Sequence, residues 1–523
     1  MESLNGTDTG LSLADSYMRN IATVTPSTCL AALCLCVAIY TLLRLFRPAD
    51  TKPIPWAKTS IPYIGRLGHV IEFARDPPSF LLKQRGLVGE VFRLDLILMN
   101  ITFLVGAHWN RWLLRGTKEE DVSFNKLLPT MTGGIVGEDL VQAGWVHHSV
   151  KQLRHGLNRP ERLERLAQTS ARMAMGIYAE WAQQDSIPLF EQSSKMLLRV
   201  TLIVYFGQSF VDKHQTELMA LVESFQQDLL SPWVRLLPKW ASPSGRRLIA
   251  AQAQLSRLMF PEVQARLKNI DLCEEADDYL SFLLVSNLES GVQQSEREYV
   301  VQFMAYQFAA KANFDGAWSW TLLHLLRNSE HMASFHDEIA RNPPVNHGIY
   351  GPLDDMPFSE ACLRETGRLY ANMMTLRYVS RDLCAPDGTI VRKGWAAVLP
   401  MAVHRDPKIY ENPDKWDPLR HLPSADGTPS DCALRSRNLE FLMWGTGRNV
   451  CAGERLSHSL LRSALWPSLL DNYSLEVVDG IVEGEGVDGV GVAPDHGKSL
   501  GTPYAGTREI YVKVAKRVVP LSG

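Results

Sequence analysis

Apolar residues recur along much of the chain with the three- and four-residue spacing of a helix that packs one face on a core. This spacing predicts five long helices, over residues 163–183, 196–206, 216–230, 247–267 and 300–326. Shorter runs rich in β-branched residues predict a hairpin, over residues 91–96 and 101–105, and further short strands. Those strands cover residues 375–379, 389–391, 396–399, 474–478 and 509–514. The pattern therefore predicts a mainly α domain with small β-sheets.

One apolar stretch near the amino terminus differs from the others because it is long enough to cross a bilayer. Residues 21–46 contain a single charged residue, Arg44, near their end, and a spanning helix needs about 20 residues. Basic residues follow the stretch and acidic residues precede it, so the positive-inside rule places the rest of the chain in the cytosol. A secretory signal peptide is disfavoured because no basic segment precedes the run and no small-residue cleavage site follows it.

The anchor defines the predicted domain organisation. Residues 1–20 form a lumenal tail, in which Asn5 begins a glycosylation sequon of a kind that is common by chance. Residues 21–46 form a transmembrane signal anchor, and residues 47–62 form a proline-rich hinge, because closely spaced prolines cannot continue a helix. Residues 63–523 follow as one large domain.

Composition narrows the function classes. Of the 523 residues, 46% are hydrophobic and 21% are charged, which is typical of a globular protein and excludes a disordered or fibrous chain. The 54 Lys and Arg residues against 57 Asp and Glu residues leave a net charge of −3, so no electrostatic reason favours nucleic acid as a partner. Eight cysteines in so long a chain do not form a disulfide framework, and we expect reduced thiols.

A glycine pattern at residues 484–489 matches the dinucleotide-binding fingerprint in spacing alone. That fingerprint needs a helix that opens at its third glycine, whereas residues 490–496 include Pro494 and lack helical periodicity. The segment is therefore predicted to be a surface loop that binds no nicotinamide cofactor.

The cysteine at position 451 carries the strongest chemical signal in the sequence. It lies in the glycine-rich segment 444–453, and a helical run over residues 454–470 follows. Glycines let a backbone approach a flat cofactor, and the N–H groups at a helix start favour a thiolate and can donate hydrogen bonds to it. A lone buried cysteine is the simpler explanation, but the flanking glycines and the aromatic residue weaken it. Zinc is disfavoured because no second Cys or His lies nearby at ligand spacing.

The segment resembles the haem-binding signature of the cytochrome P450 family. Four positions of that signature match, namely Trp444, Gly447, Cys451 and Gly453. Asn449 stands where the family usually has an arginine, and Arg448 lies one place earlier. The resemblance implies a cytochrome P450 fold and a haem b whose iron is bound by the Cys451 thiolate, with Arg448 among the candidate partners of a haem propionate.

Further landmarks of the family follow in the expected order. Glu365 and Arg368 match its E-x-x-R helix, on which residues three apart share a face, and Arg420 matches the arginine of its P-E-R-F segment. The resemblance implies that these three residues form a structural ion network that supports the cysteine loop, and that Arg377 binds a haem propionate. The family's W-x-x-x-R pattern is not met cleanly, so three candidates for a second propionate partner stay open: His148, Lys151 and Arg154.

The helix that activates oxygen in this family departs from the family pattern. An acid followed by an alcohol relays protons there, whereas this chain has Ala312 and Asn313 at those positions and Asp315 two residues later. Asn313 and Asp315 are the candidate catalytic residues, although an amide is not an acid and Asn313 is equally well explained as a helix-kink residue. The Ala-Asn pair resembles the subgroup that contains prostacyclin synthase and the steroid 7α- and 12α-hydroxylases, and indicates a eukaryotic microsomal enzyme.

The resemblance implies a monooxygenase that hydroxylates a lipophilic small molecule such as a terpenoid, a sterol or another secondary metabolite. Electrons would come from NADPH through a separate NADPH-cytochrome P450 reductase, with cytochrome b5 as an optional second donor. Residues 63–523 would be a haem-thiolate catalytic domain on the cytosolic side of the endoplasmic reticulum membrane, which the chain crosses once. Two alternatives stay open: a haem-thiolate isomerase or dehydratase that rearranges a peroxide without a reductase, and a non-catalytic membrane protein that binds lipid.

Overall fold

The computed structural model describes residues 54–517, with gaps at 60, 62–66, 97–98, 232, 277, 346–347, 372–373, 424–434, 496–503 and 506–507. The predicted lumenal tail, the predicted transmembrane anchor of residues 21–46 and part of the predicted hinge lie outside the described residues. The chain divides into two compact units, Met1–Ile54 and Pro55–Gly523. Within the described part, no helix combines the length and the apolar character that a membrane span requires.

Helices make up most of the second unit, as the periodicity predicts. In chain order the described helices are α1 (Leu67–Arg75), α2 (Pro77–Val88), α3 (Ala107–Arg115), α4 (Leu128–Met131), α5 (Glu138–Gln142), α6 (Trp145–Leu157), α7 (Pro160–Trp181), α8 (Leu189–Phe206), α9 (Gln208–Leu230), α10 (Trp233–Leu236), α11 (Pro243–Lys268), α12 (Asp271–Ala276), α13 (Tyr279–Glu289), α14 (Glu296–Arg327), α15 (Ser329–Arg341), α16 (Pro357–Tyr370), α17 (Pro400–His404), α18 (Glu454–His458) and α19 (Trp466–Asn472). The five predicted long helices are confirmed as α7, α8, α9, α11 and α14, and their carboxyl ends lie within two residues of the predicted ones.

Short strands form small sheets beside the helices. They are β1 (Val91–Asp95), β2 (Asn100–Leu104), β3 (Val122–Ser123), β4 (Ile187–Pro188), β5 (Pro344–Val345), β6 (Ile349–Tyr350), β7 (Thr375–Val379), β8 (Leu383–Cys384), β9 (Ile390–Val391), β10 (Gly394–Val398), β11 (Tyr473–Asp479), β12 (Pro494–Asp495), β13 (Tyr504–Ala505) and β14 (Tyr511–Lys516). The largest described sheet has the strand order β1-β2-β10-β7-β3. The predicted hairpin is confirmed, because β1 and β2 pair antiparallel with Val91 opposite Leu104.

Helix α14 has 32 residues and is buried along most of its length. Ser295 caps its start: the Ser295 hydroxyl accepts the Glu298 backbone N–H, and the Glu298 carboxylate accepts the Ser295 backbone N–H at 2.7 Å. Both Trp318 and Trp320 are fully buried, and apolar residues occupy every side of this part of the helix, as a helix inside a core requires. The amino-terminal half of α14 borders the cavity described below.

The helical run predicted after Cys451 is confirmed, with a widened middle. Helix α18 continues through a π-helical turn at Ser459–Leu465 into α19. Pro467 lies in the first turn of α19, and a proline there has no N–H to donate and pushes away the carbonyl four residues earlier. The preceding turn widens for that reason.

The glycine-rich segment 484–489 forms no α-helix. Val487–Gly489 make a single 3₁₀ turn, and the backbone of Asp488 is left-handed, with φ of 55°. The segment therefore lacks the helix that a dinucleotide-binding fingerprint needs.

Candidate functional site

The segment that carries Cys451 is a tight loop that ends at the start of α18. The Cys451 backbone N–H donates to the carbonyl of Trp444 at 2.8 Å and closes the loop. Gly445 has a left-handed φ of 72°, and a Cβ there would lie 2.9 Å from the Asn449 carbonyl oxygen. Gly447 is also left-handed, with φ of 63°. The glycines are thus required by the backbone path that turns Cys451 towards the cavity.

The sulfur of Cys451 accepts hydrogen bonds from the backbone N–H groups of Gly453 and Glu454, as the helix start predicts. The net effect on the thiol differs from the sequence-based expectation. Burial raises the pKa of Cys451 above its ordinary value, because desolvation of the thiolate outweighs the two N–H donors and the positive charge of Arg154. A bound metal ion would supply the charge that keeps this sulfur deprotonated.

A cavity of about 1650 Å³ extends from Cys451 to α14. Its walls are mostly apolar side chains from several elements, among them Phe124, Leu127, Met131, Val136, Leu230, Phe308, Ala309, Ala312, Met374 and Leu376. Small residues on α14 leave a broad space opposite the cysteine loop. The cavity can therefore hold a flat cofactor against the loop and an apolar molecule against α14.

Arg377 is a buried cation on the wall of this cavity. It is only 6% exposed, and its Nη1 donates to the carbonyl of the adjacent Leu376 at 2.7 Å. Burial is the main reason that the pKa of Arg377 is lowered to about 10; the nearby Arg448 contributes to this shift, whereas Glu119 opposes it. A guanidinium in this setting gains from a bound anion, which is what a haem propionate would supply.

Arg448 also borders the cavity, but its guanidinium is directed to the surface. The side chain is 56% exposed, lies 3.5 Å from the Glu119 carboxylate and donates to the Thr117 carbonyl at 3.4 Å. Of the two arginines predicted to bind a propionate, Arg377 is the one that the structure buries inside the cavity.

The three candidates for a second propionate partner all lie on helix α6, but their side chains have different surroundings. His148 is absent from the cavity wall, whereas Lys151 borders the cavity and its side chain has no partner among the described residues. Arg154 donates from Nη2 to the carbonyls of Arg448 at 3.1 Å and Val450 at 2.7 Å, so it binds the cysteine loop itself. Lys151 is the candidate that remains available to an anion.

Trp145, at the start of α6, is a site residue that sequence reasoning missed. The side chain is 7% exposed and borders the cavity, and its buried Nε1 has no acceptor among the described residues. A buried donor without a partner costs about 1–3 kcal/mol, so the atom fits an acceptor on a bound group. The signal was present, since Trp145 is the tryptophan of the incomplete W-x-x-x-R pattern. Together with Arg377, Lys151 and Cys451, this atom makes the cavity fit a haem.

We expect Trp145→Phe to speed haem dissociation about tenfold or more, whereas the apoprotein loses no hydrogen bond in this variant. A hydrogen bond to a charged group contributes about 1.5–3 kcal/mol, and the apoprotein loses no partner when the N–H is removed. Haem transfer to apomyoglobin measures the rate. Trp466→Phe is the matched control, because its buried Nε1 is also unpartnered among the described residues but lies outside the cavity wall. Equal rates for both variants would contradict this role.

Glu365 and Arg368 meet on α16, fully buried. Arg368 donates from Nε and Nη2 to the two carboxylate oxygens of Glu365, each at 2.8 Å, and Arg420 donates to the same carboxylate at 3.0 Å. His421 adds a contact that sequence reasoning missed, with its Nε2 at 2.8 Å from Glu365. These hydrogen bonds hold the pKa of Glu365 well below its usual range despite its burial. The structure thus brings the three predicted network residues together and adds a histidine.

The network reaches the cysteine loop through His404 on α17. His404 Nε2 accepts the backbone N–H of Leu442 at 3.0 Å, and its Nδ1 lies 3.2 Å from the carbonyl of Arg368. The loop also lies directly on α16, where a Cβ at Gly367 would stand 2.0 Å from the sulfur of Met443. The ion network therefore fixes the backbone that leads to Cys451.

We expect the protein to lose stability steeply below about pH 6.5. Burial lowers the pKa of His404 and of His324 to about 3 each. Between these values and the unfolded value near 6.5, the unfolded chain binds more protons, so the unfolding free energy falls as the pH falls. The two residues together contribute up to about 2.7 kcal/mol per pH unit. Urea unfolding from pH 7.5 to 5 measures the slope.

His404→Gln should remove about half of that contribution. His108→Gln is the control, because the His108 side chain is 65% exposed. The same slope for His404→Gln and for the unaltered chain would show that His404 is not the buried neutral group described here.

The two candidate catalytic residues in the middle of α14 differ in their access to the cavity. Asn313 borders the cavity, and its Nδ2 donates to the carbonyl of Ala309 at 3.0 Å. Asp315 is 2% exposed and is not part of the cavity wall. Its carboxylate accepts from Lys311 at 2.6 Å and from Ser194 on α8 at 2.7 Å. Asp315 therefore reaches the cavity only through Lys311 and Ser194, which both border it.

Comparisons with known proteins point in the same direction as the site. A model described as cytochrome P450 matches residues 55–485. The cytochrome P450 monooxygenase pyvB of Aspergillus violaceofuscus is 28% identical over 421 residues, which cover 79% of this chain and 82% of that relative. The sterol 14-demethylase of Arabidopsis thaliana is 24% identical over 464 residues, which cover 86% of this chain and 91% of that relative.

Among solved structures, retinoic acid-bound cyanobacterial CYP120A1 superposes with a TM-score of 0.68 at 21% identity. The match covers 90% of this chain and all of that one, and it shows the fold. The likeness to the subgroup of prostacyclin synthase and the steroid hydroxylases stays a prediction.

Proposed function

The chain belongs to the cytochrome P450 family of monooxygenases, and from that premise we propose that it hydroxylates a lipophilic small molecule. One observation carries the proposal: a single apolar cavity joins Cys451 to the middle of α14. A cofactor seated on the cysteine loop leaves room for substrate between itself and the small side chains of α14.

Different residues of the cavity would hold different parts of the haem. The thiolate of Cys451 would bind the iron, the side chains of Arg377 and Lys151 would face its carboxylates, and Trp145 would donate its indole N–H. Haem with a cysteine ligand supplies the activation of dioxygen, which these side chains cannot perform themselves. The protein orients the substrate, excludes water and delivers protons.

The substrate proposed is a terpenoid, a sterol or another apolar secondary metabolite. The mostly apolar walls support this class, because an apolar molecule gains by leaving water for such a cavity. One relative supports it by its name, since the Arabidopsis protein is named for the demethylation of sterols.

The proposed electron donor is NADPH through a separate flavoprotein reductase, with cytochrome b5 as an optional second donor. The segment 484–489 supports a separate donor, since it contains only the 3₁₀ turn Val487–Gly489 and lacks the helix that the dinucleotide-like pattern needs. The proposed location is the endoplasmic reticulum membrane, with the catalytic domain in the cytosol. Trp233 and Trp240, which are 56% and 71% exposed, support contact with a membrane surface, where tryptophan is favoured.

Proton delivery is assigned to Asn313 together with the buried pair of Lys311 and Asp315. Asn313 can hold a water at the cavity side of α14 but cannot supply a proton itself. Lys311 and Ser194 connect Asp315 to the same cavity, so protons can pass from this cluster to water beside Asn313. The assignment gives this chain a proton source where Ala312 replaces the usual acid.

An isomerase that rearranges a peroxide is the second candidate. Ala312 and Asn313 favour it, because a substrate that carries its own O–O bond needs neither reductase nor proton relay. Purified holoprotein distinguishes the two when substrate consumption is followed with NADPH and reductase, or with a lipid hydroperoxide alone. We expect product only with NADPH and reductase. In the Lys311→Met variant we expect more of the electrons from NADPH to form hydrogen peroxide instead of product. Rearrangement of the hydroperoxide without reductase would establish the isomerase instead.

A further inference from the structure

The end of α6 holds the cysteine loop through two side chains. Arg154 lies in the last turn of α6, and its Nη2 donates to the carbonyls of Arg448 at 3.1 Å and Val450 at 2.7 Å. Asn158 follows one helical turn later, and its Nδ2 donates to the carbonyl of Ala452 at 3.1 Å. Two side chains spaced four residues apart thus bind three carbonyls that bracket Cys451.

The geometry of this contact is specific to the two side chains. Residues four apart lie on one face of a helix, so Arg154 and Asn158 face the loop together. The carbonyls belong to alternate residues, and Asn158 Nδ2 also donates to the carbonyl of Arg154 at 2.9 Å, which fixes its amide relative to the helix end. Any shift of the loop along α6 breaks these bonds.

The charge of Arg154 acts on the sulfur as well as on the backbone. The Arg154 guanidinium donates at 2.7 Å to the carbonyl of Val450, the residue next to Cys451, so its positive charge lies close to the sulfur. Reduction of a haem thiolate from the ferric to the ferrous state adds one negative charge to the group. A nearby cation stabilises the state with the extra negative charge, so it raises the reduction potential.

We propose that Arg154 and Asn158 form a positioning pair that fixes the cysteine loop under the haem, and that Arg154 also raises the haem reduction potential. The proposal rests on the proposed function, since it assumes haem bound through Cys451. It gives Arg154 a role different from that of a propionate partner. Asn158 only positions the loop backbone and does not affect the potential, because its amide carries no charge.

The test compares Arg154→Gln, Arg154→Lys and Asn158→Ala in the full-length holoprotein. Potentials are measured by dye-equilibrated titration with dithionite, and thiolate ligation by the carbon monoxide difference spectrum during incubation. Arg154→Gln should shift the midpoint potential to more negative values and speed the loss of the thiolate-type spectrum several-fold. Asn158→Ala should speed that loss while leaving the potential unchanged. Arg154→Lys should keep the potential near that of the unaltered chain.

Arg159→Gln is the matched control, because it removes an exposed cation a few residues away whose guanidinium stacks 5.2 Å from the Phe282 ring instead of binding the loop. An unchanged potential and an unchanged spectrum in Arg154→Gln would overturn the inference. So would faster haem release with both of those properties preserved, since that result identifies a propionate partner. If Arg154→Gln does not fold, the midpoint potential and the rate of spectral loss are compared in Asn158→Ala and Arg154→Lys, and these two variants then test the proposal. A full-length chain without any thiolate spectrum would instead overturn the proposed function.

Discussion

Cys451→Ala is expected to yield a folded protein with no sulfur-ligated haem. The affinity for haem should fall by more than about 100-fold, because the loss of even an outer partner of a metal ligand costs about 10- to 100-fold. The side chain is small and faces the cavity, and its removal takes only a weak sulfur acceptor from the backbone N–H groups of Gly453 and Glu454, so the fold should persist. Haem titration of the apoprotein, followed by absorbance, measures the change.

Cys384→Ala is the control for this experiment. Cys384 is an exposed cysteine at the end of β8 and takes no part in the cavity. Its replacement should leave haem binding and the spectrum of the carbon monoxide complex unchanged. Retention of a thiolate-type spectrum in Cys451→Ala would mean that another cysteine binds the iron, and the description of the loop would then fail.

Glu365→Gln is expected to destabilise the protein by about 3–5 kcal/mol, because it leaves the buried cation of Arg368 without its counter-charge. Both side chains are fully buried, and the same carboxylate also accepts from Arg420 and His421. Domains are stable by only about 5–15 kcal/mol, so this loss is a large share of the total. Urea unfolding of the apoprotein measures it, and a smaller yield of haem-loaded protein should accompany it.

Asp139→Asn provides the matched comparison for the buried carboxylate. Asp139 pairs with Arg297 at 2.5 Å, but the two side chains are 60% and 54% exposed. An exposed pair contributes about 0–1 kcal/mol, so this variant should unfold close to the unaltered chain. Equal losses in Glu365→Gln and Asp139→Asn would contradict a supporting role for the α16 network.

Local patterns predicted the elements and the chemical centre of this protein. Apolar periodicity located the long helices and their carboxyl ends, because one buried face of each helix repeats in the sequence itself, but α8 and α9 begin seven and eight residues before their predicted starts. The cysteine loop could be predicted because its glycines are required by the local backbone, as Gly445 and Gly447 show with their left-handed conformations.

Contacts between distant segments could not be read from local patterns. Arg154 and the loop carbonyls that it binds are almost 300 residues apart, so no spacing rule relates them. His421 and His404 were overlooked for the same reason. Each acts through a hydrogen bond to a residue that is distant in the sequence, His421 to Glu365 and His404 to Leu442. The partner of Asp315 is nearer in the sequence, since Lys311 lies four residues before it on α14, but only packing against α8 shows that the pair is buried.

The central claim is that the Cys451 sulfur binds the iron of a haem in this cavity. The most direct measurement is the carbon monoxide difference spectrum of the dithionite-reduced, full-length protein after expression with a haem precursor. We predict the red-shifted Soret band that is characteristic of a thiolate ligand, in an amount close to one haem per chain. A protein that takes up no haem, or one whose band has the position typical of a histidine ligand, would contradict the account.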